Sequence, residues 1–70
     1  MNTAKKIKMS LAFVEKSESE LARDLGTSPQ AFNQRMKTDK FTTEELTRIA
    51  ESLGAKLIPC AFEFPDGTRI

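Results

Sequence analysis

Between Ser17 and Lys37 the chain reads S-E-S-E-L-A-R-D-L-G-T-S-P-Q-A-F-N-Q-R-M-K, and no other stretch constrains the fold as much, because two helix starts stand here on either side of one tight break. Ser17 has the character of a helix N-cap. Its hydroxyl can accept from the backbone N–H of Ser19 or Glu20, while Glu18 and Glu20 put negative charge at the positive end of the helix. Leu21, Ala22 and Leu25 share one face, and Gly26 supplies the left-handed residue that closes a helix, so the first helix should end after about two turns. Ser28 followed by Pro29 is a second N-cap, with proline at the first helical position, where its missing N–H costs nothing. So short a connection forces the two helices to turn sharply against each other.

At about 100° per residue, Phe32 and Met36 of the second helix point to one side, and Gln30, Asn33, Gln34 and Lys37 form a stripe on the other. The apolar side is used in packing. What remains is a row of side-chain amides ending in a lysine, and such amides bond bidentately to N6 and N7 of adenine in the DNA major groove. The stripe is therefore a candidate reading surface for double-stranded DNA, with Gln30, Asn33 and Gln34 as base readers.

The stretch E-L-A-R-D-L-G-T-S-P-Q-A-F-N-Q-R-M resembles the two-helix motif of the lambda-repressor-like (XRE/Cro) helix-turn-helix family. Small Ala22 stands where the helices touch, Gly26 lies in the turn four residues later, and apolar Phe32 follows six residues after that. The resemblance implies a mainly α domain of four to five helices in which the helix from Pro29 to Lys37 is the recognition helix. Two positions depart from the pattern. Glu18 stands where many members carry a phosphate-contacting glutamine, and Arg35 stands where many carry an apolar residue, with Met36 taking the packing role one place on.

Seventy residues suffice for one small domain with a marginal core, which dimerisation would help. The chain has no histidine, which removes the commonest general base and metal ligand, and its scattered Ser, Glu and Lys residues form no nucleophile–base–orienter set. No enzymatic activity, metal site or cofactor is expected. One cysteine, no apolar run of membrane length and no signal-peptide pattern lead to the expectation of a reducing, cytoplasmic setting away from membranes. The net charge is only +1, but it is unevenly spread: residues 1 to 41 carry eight Lys/Arg against five Asp/Glu, and residues 42 to 70 carry three against five. The positive excess belongs to the half that contains the amide stripe.

The remaining elements read as support. From Ala4 to about Lys16, Ile7, Leu11 and Val14 recur at helical spacing, with Met9, Ala12 and Phe13 outside that stripe, Phe13 either a second contact or a patch awaiting a partner. Lys5, Lys6 and Lys8 form a solvated face, or lie near DNA phosphates. Thr42 and Glu45 form a capping box, after which Leu46, Ile49, Ala50 and Leu53 line one face until Gly54 ends the helix. Residues 1–54 thus form the helical, DNA-binding part and residues 55–70 a C-terminal extension.

That extension changes character. Ala55 to Phe64 alternates with a period of two, placing Ile58, Cys60, Phe62 and Phe64 on one face and Leu57, Pro59, Ala61 and Glu63 on the other, which reads as one β-strand. A lone strand leaves its backbone unsatisfied. Pairing with the same strand of a second copy gives a homodimer through Ile58, Cys60, Phe62 and Phe64; the alternative is a hairpin in which residues 68–70 fold back within the subunit.

Two functions compete. One is a homodimeric, sequence-specific transcriptional regulator, holding phosphates through Ser28, Lys37 and Lys40, with Ser19 and Thr43 as further candidates. The other is a protein-interaction module of antitoxin or anti-repressor kind on the same fold, favoured by Glu18, the low net charge and the exposed strand. Neither the operator nor any small-molecule effector is legible in the sequence.

Overall fold

The computed structural model describes residues 2–70 and contains four helices followed by a small antiparallel sheet. The helices are α1 (Thr3–Phe13), α2 (Glu18–Asp24), α3 (Pro29–Thr38) and α4 (Thr43–Ser52). The strands are β1 (Lys56–Ile58) and β2 (Ala61–Glu63). Each helix start carries its side-chain cap. Asn2 accepts from Lys5 N, Ser17 from Glu20 N, Ser28 from Ala31 N and Thr42 from Glu45 N, and the caps of α2 and α4 are complete capping boxes closed by Glu20 and Glu45.

Three of the four helices end on the same backbone closure. Lys16 N donates to Leu11 O, Thr27 N to Ala22 O and Ala55 N to Ala50 O, each bond spanning the last turn around a left-handed residue. At α2 and α4 that residue is Gly26 (φ 75°) or Gly54 (φ 72°), as the sequence implied. At α1 it is Glu15 (φ 57°), so the helix stops at Phe13 rather than near Lys16. The end of α3 is different: Asp39 is left-handed (φ 55°) and its carboxylate accepts the Ala4 N–H at 2.7 Å, tying the end of α3 to the first turn of α1.

The core contains Ile7, Leu11, Leu21, Ala22, Phe32, Met36, Ile49, Ala50 and Leu53, all buried, and Phe62 and Phe64 belong to the same cluster. Fully buried Leu21 and Ile49 and nearly buried Phe32 place α2, α3 and α4 around one centre. Ser10 is the one buried polar residue among those described, and its hydroxyl has no hydrogen-bond partner. No helix among the described residues is long and apolar enough to cross a membrane.

The C-terminal segment corrects the reading of one continuous strand. Pro59 and the left-handed Cys60 (φ 65°) make a two-residue turn, and β1 pairs with β2 in the register Lys56↔Glu63, Leu57↔Phe62, Ile58↔Ala61. A turn of two residues inverts the inside–outside alternation. Leu57, not Ile58, therefore lies opposite Phe62. Residues 68–70 then return along the other side of β2, with Phe62 and Ile70 exchanging both backbone bonds (2.8 and 3.0 Å) and Phe64 N donating to Thr68 O (2.8 Å). The backbone that was expected to need a second copy is satisfied within the chain, as in the alternative hairpin reading. Phe62 and Phe64, assigned to a dimer contact, are each 3% exposed and serve their own core. Ile58 is half-buried, while Cys60 sits exposed at the hairpin tip.

Candidate nucleic-acid interface

Helix α3 is held from one side only. Phe32 and Met36 are buried; Gln30, Asn33, Gln34 and Lys37 are all exposed, and none of these four side chains makes a hydrogen bond or ion pair with the described residues. Their spacing of three and four places them within an arc of roughly 100° on the helix surface. The stripe inferred from the sequence is therefore present as one continuous polar face, uncommitted to the protein's own structure.

The helix is set in place at both ends. At its start the Ser28 hydroxyl accepts from Ala31 N at 3.1 Å and retains its own hydrogen for an outside acceptor. At its end Arg35 turns away from the stripe: its guanidinium donates to Lys40 O at 2.8 Å and to Glu45 at 2.5 Å, and lies 5.6 Å from the centre of the Phe41 ring. Arg35 is thus a clamp between α3 and α4. Met36, buried beside it, does the packing.

The phosphate candidates are exposed but dispersed. Lys37 belongs to the stripe, and Lys40 follows in the connection to α4. Ser28 stands at the N-terminus of α3, where backbone N–H groups and the helix dipole favour an anion. Ser19 and Thr43 occupy the first turns of α2 and α4, and no hydrogen bond joins either to α3. Glu18 is exposed at the start of α2. Lys6 turns toward the sheet, donating to Cys60 O. Of the α1 lysines read as a solvated face, it alone is engaged; Lys5 and Lys8 make no side-chain hydrogen bond among the described residues.

Electrostatics around the motif are structural. Lys16 Nζ bonds Asp24 (2.9 Å) and Ser52 O (2.8 Å), and Ser52 Oγ donates to Asp24 at 2.6 Å, joining the end of α1 to α2 and α4. The bonds from Lys16 and then Ser52 hold the Asp24 carboxyl below its ordinary pKa. At Glu45 the Thr42 backbone N–H, and after it Arg35, lower the pKa in the same way.

One feature was not singled out from the sequence. Behind the α2–α3 turn, α3 and α4 leave a half-open cleft of about 200 Å³ floored by Phe32, Phe41 and Ile49 and edged by Arg35, Glu45 and Arg48. Arg48 donates to Leu25 O at 3.0 Å, satisfying a carbonyl at the end of α2. These residues come from two helices and the connections beside them, so no local motif announces them. Compared with known proteins, the chain matches no family model, no curated protein and no solved structure.

Proposed function

We propose that the chain is a sequence-specific DNA-binding regulator of lambda-repressor-like helix-turn-helix type, with α3 as the recognition helix. The observation that carries this reading is the face of α3: three amides and a lysine on one arc, all exposed and none bonded internally, on a helix fixed at both ends. Residues kept for solubility alone need no such concentration of amides, whereas base reading requires pre-positioned bidentate groups. Gln30, Asn33 and Gln34 read base edges. Ser28, Lys37 and Lys40 hold phosphates, with Ser19 and Thr43 at the margins of the contact. The regulator acts as a homodimer on a pseudopalindromic site whose half-sites lie about 34 Å apart. Its subunit contact does not use Phe62 and Phe64, which are buried in their own chain.

A second reading, a protein-interaction module on the same scaffold, is favoured by two surface features. Glu18 puts a negative charge at the start of α2, and Met9 and Phe13 are 47% and 45% exposed on α1. Phe13 does meet the Phe64 ring, at 4.8 Å edge to face.

Selection of bound sequences from a random duplex pool at two salt concentrations separates the readings. An enriched inverted repeat with steep salt dependence supports the regulator. On the selected site, Gln34→Ala should cost about 1–3 kcal/mol and relax preference at one base position, while Lys37→Ala should weaken all sequences alike and reduce the salt slope by about one. No enrichment and no salt-dependent binding would refute it and leave the interaction module.

A further inference from the structure

The cleft between α3 and α4 has no part in the reading face, and its composition is that of a small ligand site. Its accessible apolar lining is half-buried Phe41 and Leu25, backed by buried Phe32 and Ile49, and its rim carries two guanidinium groups and one carboxylate. A concave apolar surface with a few convergent polar groups is the general form of a small-molecule site. At about 200 Å³ it admits a fragment the size of one ring with a small substituent, not a nucleotide.

The charges on the rim decide the ligand's sign. Arg35 is already matched: Glu45 neutralises it, the Lys40 carbonyl takes another of its donors, and Phe41 covers its face. Arg48 is not matched. It is exposed, has no carboxylate partner among the described residues, and gives one bond to the neutral Leu25 carbonyl, which fixes the guanidinium beside the cleft with its other donors unused. The rim therefore carries one uncompensated positive charge with a planar donor fork above an aromatic floor. A planar carboxylate suits that fork bidentately, and the body of such a ligand covers the exposed parts of half-buried Phe41 and Leu25.

We propose that the cleft behind the α2–α3 turn binds a small aryl or branched aliphatic monocarboxylate, with its carboxylate on Arg48 and its apolar body against Phe41 and Leu25. This proposal stands apart from the DNA reading, and its test contains no DNA. Benzoate is the probe and benzyl alcohol its uncharged counterpart, each titrated into isotopically labelled protein at constant ionic strength while backbone amide shifts are followed. Benzoate should shift Leu25, Thr27, Phe32 and Ile49 in a saturable way and raise the thermal midpoint. Benzyl alcohol should bind at least tenfold more weakly. Arg48→Met, which keeps the aliphatic stem, should weaken benzoate by about tenfold and leave benzyl alcohol unchanged, in line with loss of a charge-assisted pair.

Should Arg48→Met fail to fold, Arg48→Lys keeps the charge without the fork and should weaken benzoate severalfold. Shifts centred on the outer face of α3 or on α1, equal affinity for the acid and the alcohol, or undiminished benzoate binding in a folded Arg48 variant would each overturn the assignment.

Discussion

Ser10 offers the sharpest test of the packing described above. It lies in α1, is fully buried, and its hydroxyl meets no hydrogen-bond partner among the described residues. A buried polar group without a partner forfeits its hydration for nothing, at a cost of about 1–3 kcal/mol. Ser10→Ala removes that group. Alanine is also the better helix former by about 0.5 kcal/mol. Against these gains stands the void left by one oxygen, which costs less than the roughly 1 kcal/mol of a buried methylene. The balance favours alanine by about 1 kcal/mol, which in a domain of this size raises the thermal midpoint by roughly 4–8 °C. Urea unfolding followed by circular dichroism should give a higher midpoint with an unchanged slope. Ser10→Gly, which gives up helix propensity, should fall below Ser10→Ala by about 1 kcal/mol. An alanine variant no more stable than the parent would mean that the hydroxyl is engaged after all and that the orphan argument is wrong.

Three further expectations follow from the same structure. Glu15→Gly should stabilise the domain by about 0.5–1 kcal/mol, because a left-handed residue at φ 57° closes α1 without the freedom of glycine; a destabilised variant would show that the Glu15 side chain matters more than its backbone. Phe62→Ala should cost about 3–5 kcal/mol and unfold much of the population, since the ring is 3% exposed within its own chain; a well-folded monomer by sedimentation and circular dichroism would instead support a role between subunits. Asp24, Glu45 and Asp66 have lowered pKa values in the folded state, so their stabilisation is complete above the ordinary carboxylate range and is lost as the pH falls through the lowered values. Urea midpoints should be level from about pH 5.5 to 7, where an unshifted carboxylate is already ionised and no histidine titrates, and should fall below about pH 4.5; Asp24→Asn should flatten that fall.

What could be read from the sequence was local chemistry with a fixed address. Ser17, Ser28 with Pro29, and Thr42 with Glu45 mark helix starts because capping depends on residues only three apart, and Gly26 and Gly54 mark ends because only glycine adopts the left-handed conformation without penalty. Glu15 and Asp39 perform that closing role without glycine, so the end of α1 was placed too late. The turn at Pro59–Cys60 escapes the sequence for a related reason. Pro59–Cys60 has none of the usual turn residues at its left-handed position, and the alternation from Ile58 to Phe64 looks unbroken until the two-residue turn is known to invert it. The stripe on α3 was legible because one helix carries it whole. The cleft was not, because Arg35, Glu45 and Arg48 meet only after α3 and α4 have packed.

Asp39 has a mechanical consequence. Its carboxylate receives the Ala4 N–H while its own backbone closes α3, and within one turn Arg35 anchors to Glu45 and Lys40 O. The rear of α3 is therefore pinned to two other helices by polar bonds, whereas its front is joined to α2 by the short connection through Thr27 and Ser28. With its front packed on α2 through buried Phe32 and its rear pinned in this way, α3 is a rigid strut rather than a lever. Gln30 and Lys37, at opposite ends of the exposed stripe, therefore keep a fixed separation, set by the helix and not by whatever meets it.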